Sequence, residues 1–193
     1  METTSTRKRR EALIPLLKDS REEVRLAAAR SLETLDGRGS LDEVLTILKK
    51  GDSAAKVRAI YALGEIGGEK VLAPLLYCIS RPEEDLKGAA IEVLGQLAHP
   101  STLPPLVEKL KDQSSAVKAR TIEALGHFRE PALAKVLAPF LDADDGLLDA
   151  EAALALGKVG SSALEEKLIA LLDSSHSRTR EAAARALGVL PLS

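Results

Sequence analysis

Aromatic side chains are nearly missing from this chain: there is no tryptophan, and only Tyr61, Tyr77, Phe128 and Phe140 carry rings. The 45% apolar content is therefore almost all Ala, Leu, Val and Ile. Such side chains suit helices packed closely along a line and argue against a deep, ring-walled ligand pocket. The single cysteine, Cys78, excludes an internal disulfide and fits a reducing compartment. Neither charge sign dominates, with 27 basic against 29 acidic residues, so no strong field draws in nucleic acid or an anionic membrane. Long apolar runs are missing too. Nothing approaches the ~18–20 residues of a membrane span, and the opening METTSTRKRR has no apolar stretch to serve as a signal peptide. These absences place the expected location in the cytoplasm.

What the chain does have is a period. Leu32, Leu63, Leu94, Leu125, Leu156 and Leu187 follow one another at intervals of 31 residues. Glycine comes next in five of the six cases, with Glu33 as the exception. A period of this size marks stacked supersecondary units. Residues four before the leucine are Ala28, Ala59, Ala90, Thr121, Ala152 and Ala183, and those eight before it are Val24, Ala55, Leu86, Val117, Leu148 and Thr179. With the residues three after it (Leu35, Ile66, Leu97, Phe128, Val159, Leu190), they form one apolar helical stripe. A shorter segment upstream repeats the logic with pairs such as Leu75 and Ile79, or Leu137 and Leu141. Each unit is thus expected to be two antiparallel helices joined by a short turn, with Asp52, Ser114 and Asp145 capping the second helix. The glycine after the leucine allows either close helix packing or a helix exit. The units fall at about 11–40, 41–70, 71–101, 102–132, 133–163 and 164–193, behind a basic, disordered tail at 1–9.

Stretches such as KVRAIYALGEIGGEKVLAPLL (Lys56–Leu76) and AVKARTIEALGHFREPALAKVL (Ala116–Leu137) resemble HEAT repeats of the short, phycobilisome-lyase HEAT-like type. The resemblance covers about residues 10–193. It implies an all-α, right-handed solenoid of six two-helix repeats, with the second helices lining the concave side. It also implies that the basic column seven before the leucine (Arg25, Lys56, Lys87, Lys118 and Arg180, interrupted by Asp149) pairs with turn carboxylates of neighbouring units, with Asp19 and Asp112 available as partners. Relatives include scaffolds, bilin-handling proteins, a di-iron hydroxylase and DNA-repair proteins.

A stacking face should repeat from unit to unit, and a recognition face should vary. The columns six, five and two before the leucine and two after it vary, and their spacing sets them on one side of the second helix, away from the core stripe. They supply the candidate partner-binding residues Arg30, Arg58, Tyr61, Glu65, Glu92, Gln96, Arg120, Glu123, His127, Leu154, Lys158 and Arg185. Tyr61 between Arg58 and Glu65 is the strongest hot-spot candidate, because Tyr and Arg dominate interface energetics.

Residues for chemistry are sparse. His99, His127 and His176 lie in different units without ligand spacing, and the His-Glu dipeptides of the di-iron relatives are missing. Asp142-Ala143-Asp144-Asp145-Gly146 lacks the glycine and glutamate positions of a calcium loop. Cys78 sits in a core-like column and reads as an apolar filler. No nucleophile elbow or phosphate loop is present. The expectation is a non-enzymatic scaffold, with no cofactor and no metal, that binds a helix or extended segment of another protein and self-associates, if at all, through its terminal repeats. A bilin-lyase-type subunit is the alternative, resting on Arg58, Tyr61 and Arg120; DNA binding stands behind it, because the varying columns mix Glu92, Glu123 and Glu151 with the arginines.

Overall fold

The computed structural model describes the backbone of residues 4–160 and 162–191, and the side chains of these except 4–6, 30, 33, 34 and 36–40. Among the described residues the regular structure is helical throughout. The chain divides into two bodies, Met1–Ile66 and Gly67–Ser193.

The second body carries repeats three to six. Its long helices are α5 (Glu84–Leu97), α7 (Ser115–Gly126), α9 (Leu148–Val159) and α11 (Ser177–Val189), and they pack against one another in that order. Before each lies a shorter helix that packs on it: α4 (Leu72–Ile79), α6 (Leu103–Lys109), α8 (Ala134–Leu137) and α10 (Glu165–Ala170). Prolines shape these shorter segments. Pro139, lacking an N–H, falls where α8 gives way to a 3-10 turn at Ala138–Asp142. Leu94, Leu125 and Leu156 are fully buried, as are Ala90, Thr121 and Ala152 of the small-residue column.

The glycine after the leucine serves close packing. A Cβ built on Gly95 would meet the Ala124 Cα at 2.6 Å; on Gly126, that of Ala155 at 3.0 Å; on Gly157, that of Ala186 at 2.8 Å. Each glycine therefore presses on the alanine just before the leucine of the next repeat, and the two backbones meet with almost nothing between them. The helix exit lies three residues further on. Ala98 (φ 45°), Arg129 (φ 52°) and Gly160 (φ 78°) all take the left-handed conformation at the position four after the leucine, and Gly67 (φ 64°) does so after repeat two.

The expected caps form. The Ala55 N–H donates to Asp52 Oδ1 at 2.7 Å, the Val117 N–H to Ser114 Oγ at 3.4 Å, and the Leu148 N–H to Asp145 Oδ1 at 2.7 Å. The basic column behaves less uniformly than the resemblance implies. Lys87 Nζ reaches Asp112 of the next repeat's turn at 2.9 Å, with both side chains 13% exposed. Arg25 and Arg180 instead donate to carbonyl oxygens of their own turns: Asp19 and Ser20 for Arg25, Ser174 and Ser175 for Arg180. Asp149, which interrupts the column, is fully buried in the first turn of α9. There its Oδ1 accepts the Ala150 N–H at 2.8 Å.

The first body departs from the expected pattern. Thr4–Leu13 is helical (α1), followed by a 3-10 turn at Ile14–Lys18, so the basic leader is built into a helix from Thr4 onward. Helix α2 then runs unbroken from Glu22 to Lys50, across the expected boundary between repeats one and two at residues 40 and 41. It contains both the second helix of repeat one and the first helix of repeat two. At the exit position repeat one has Asp36, which belongs to the continuous helix, where repeats two to five have a left-handed residue. Helix α3 (Ser53–Ile66) folds back on α2 and buries Ala59, Ile60 and Leu63.

Candidate partner-binding face

The columns two before and two after the leucine face outward. Tyr61, Glu123 and Arg185 are exposed in the first, with Glu92 and Leu154 half-buried. In the second, Glu65, Gln96, His127 and Lys158 are all exposed, as is Val189. The column five before the leucine is mixed: Arg58 and Arg120 are exposed, Glu151 is half-buried, and Ala89 and Ala182 are buried. The side chain of Arg30 lies outside the described residues.

In repeats three to five the column six before the leucine is not part of an open face, whereas Glu181 of repeat six is exposed. Gly88, Ala119 and Ala150 are buried, and a Cβ on Gly88 would meet the Arg120 side chain at 3.0 Å. The next repeat's long helix passes over this position, so only a small residue fits. The signal was present in the smallness of all three residues.

In the second body the face is a chain of charges tied across repeats. Arg120 Nη1 reaches Glu92 Oε2 at 3.3 Å, and Gln96 Nε2 donates to Glu92 Oε1 at 3.4 Å. Glu151 is 12% exposed and pairs with Arg178 of the following repeat. Arg178 was not among the residues singled out from the sequence, because its column, nine before the leucine, precedes the stripe; only its spacing of 27 from Glu151 hints at the pair. Burial pushes the Glu151 carboxyl above its ordinary range, against the opposing pull of Arg178. His127 is held below its ordinary value by burial and then by the Lys158 charge, with Glu123 acting in the other direction. The result is a surface of alternating sign.

In the first body Arg58, Tyr61 and Glu65 share α3 at spacings of three and four. Arg58 also lines a groove of about 540 Å³ between α2 and α3, whose other walls are Val44, Thr46, Ile47, Lys50, Gly51, Ala55, Ala59 and Ala62. Among the described residues no group of three or more His, Cys, Asp or Glu side chains is placed to hold a metal ion. Cys78 is buried at 2% exposure. No described helix is long and apolar enough to cross a membrane.

Comparison with known families accounts for the period. The model for HEAT repeats matches residues 10–85, 72–156 and 135–191. The chain belongs to the HEAT-repeat family. Solved structures agree on the fold of this HEAT-repeat chain. An engineered protein of the Northeast Structural Genomics Consortium is 22% identical, with a TM-score of 0.56 over 93% of this chain and 95% of its own. The designed armadillo repeat protein YIII(Dq)4CqI is 18% identical, with a TM-score of 0.56 over 93% of this chain and 99% of its own. These likenesses establish a helical repeat solenoid and nothing about a ligand. No curated protein matches the chain.

Proposed function

We propose that this HEAT-repeat chain is a non-enzymatic interaction scaffold of the short-repeat type, acting in the cytoplasm, whose second helices hold a helix or extended segment of another protein on their concave side. One observation carries the reading. Positions that recur are buried, with Leu63, Leu94, Leu125 and Leu156 at 0% exposure, while two residues further along each helix Glu65, Gln96, His127 and Lys158 are exposed and all different. A surface that changes at every step along a regular support can read a linear partner, one short stretch per repeat. An interface of standard size needs ~800 Å² per partner, which three or four repeats supply. Because the supporting helices are already ordered, little entropy is lost by the receptor on binding.

The face favours a partner of mixed charge. Glu92–Arg120 and Glu151–Arg178 each tie one repeat to the next, and each presents both signs to an incoming chain. Affinity capture from the source cell with the wild type and with Arg58, Tyr61 and Glu65 all changed to Ala tests the reading. Loss of specific partners from the triple variant is expected. Identical recovery from both baits overturns the assignment of this face.

A further inference from the structure

We infer that the groove between α2 and α3 docks an amphipathic helix of a partner protein, with small, aliphatic, acidic and small residues at positions i, i+3, i+4 and i+7. The second body shows what such a face accepts. There a helix covers the residues eight and one before the leucine, burying Val117 and Ala124, Leu148 and Ala155, and Thr179 and Ala186. Helix α5 shows the fit on the first of these pairs. Gly88 and Ile91 are buried, Glu92 reaches Arg120 at 3.3 Å, and a Cβ on Gly95 would meet the Ala124 Cα at 2.6 Å. In the first body the equivalent face is open. Ala55 and Ala62 are only half-buried and line the groove of about 540 Å³ with Val44 and Ile47, the latter 40% exposed. That volume lies within the ~300–1,000 Å³ of ordinary binding sites.

Charge decides what kind of helix fits. Lys50 and Arg58 line the groove, and no acidic side chain does. Among the described residues neither cation has an ion-pair partner, whereas Arg120, the counterpart of Arg58 in repeat four, has Glu92. In the sequence, repeat one has Arg30 at the place of Glu92, and Leu26 and Glu33 at those of Gly88 and Gly95. The chain's own first repeat is therefore bulky where small residues fit, and basic where Arg58 calls for a carboxylate. A second copy is no better suited. Its exposed α11 has Glu181 at the first place and Arg185 at the third, so Arg185 would face Arg58. A helix of another protein with a carboxylate at the third place satisfies the apolar walls and the cations together. The inference rests on the scaffold reading and adds to it the chemistry of one partner.

A preformed helix offered to the full chain tests it. The probe is the α5 sequence, Glu84–Leu97, made as a fluorescent peptide stapled through its outward side chains so that it is already helical. Anisotropy should show saturable binding to the wild type. Arg58→Glu, a change at an exposed side chain that leaves the fold intact, should weaken binding about tenfold or more, and Ala62→Leu, which fills the groove, should do the same. A probe carrying Glu92→Arg should reverse the preference and bind the Arg58→Glu chain more tightly than the wild type. Absence of saturable binding, or binding indifferent to both chain variants, overturns the inference. Release of a chain dimer by the probe overturns it as well, because a second copy is then the occupant. Failure here is distinct from failure of the column face: cellular partners captured by Ala62→Leu bait but lost from the triple-alanine bait would remove the groove and leave that face standing.

Discussion

The first body, Met1–Ile66, and the second, Gly67–Ser193, are written in the same 31-residue language and pack differently. In the second, each long helix lies with a glycine against the next helix's alanine, and the core leucines of repeats three to five are sealed. In the first, Leu32 is only half-buried, and Ile14, Leu16, Leu17, Leu26 and Ile47 are each 39–50% exposed. Hydrophobic pattern is common to both, so it does not decide whether a seam closes. Two local features do: a residue without a Cβ just after the leucine, and a left-handed exit four after it. Repeats three to five have both; repeat one has neither, with Glu33 and Asp36 in those places.

Substitutions can widen or erase this difference. The largest effect is expected from the core leucine. Leu125→Ala should cost about 2–5 kcal/mol in denaturant unfolding, because a fully buried side chain leaves a cavity. Leu32→Ala, at the same place in a half-buried setting, should cost about 1 kcal/mol. Equal losses would mean that the open seam is no weaker than the closed ones.

A smaller effect separates the ion pair of the second body from the looser basic residues. Lys87 holds Asp112 across repeats, and its hydrogen bond lowers the Asp112 carboxyl below its ordinary range. A carboxyl lowered in the folded state stabilises above its unfolded pKa, near 3.9, and loses that contribution as pH falls through the lower folded value. Lys87→Met should therefore cost about 1 kcal/mol at pH 7, and the gap from wild type should shrink below about pH 4. A gap independent of pH would assign the loss to packing alone.

The smallest effect belongs to His127. Its folded pKa lies below the ordinary value, so the folded state resists protonation. Stability from this group is present at neutral pH and is lost as pH falls from about 6.5 toward the lower folded value. His127→Asn should flatten the stability profile in that window; an unaltered slope would show that the imidazole is freely solvated.

Much of this was legible in the sequence. Leucines at a strict interval mark one recurring helix position, and the alanines four before them pack where little space remains, so core and small-residue columns follow from spacing. The caps at Asp52, Ser114 and Asp145 follow from side-chain chemistry next to a helix start. Features set by how one repeat passes over the next were harder to see. Gly88, Ala119 and Ala150 look variable as letters yet sit under the following helix. Continuity of α2 through Gly37 and Gly39 runs against local propensity, which favours a turn there. The left-handed exits at Ala98 and Arg129 carry no residue signature, because neither side chain prefers that conformation. The candidate face was legible as a set of columns, and its charge pairs were not, since Arg178 reaches Glu151 from the next repeat.

The claim that glycine after the leucine is what lets consecutive repeats close is tested most directly by one pair of unfolding curves. Gly95→Ala and Gly188→Ala make the same change at the same place in the period, but a Cβ at Gly95 meets Ala124 backbone at 2.6 Å and one at Gly188 meets nothing within 4 Å. Gly95→Ala should lose about 1–3 kcal/mol, whereas Gly188→Ala should be neutral or gain up to about 1 kcal/mol from helix propensity. Equal shifts for the two variants, in either direction, would contradict the account.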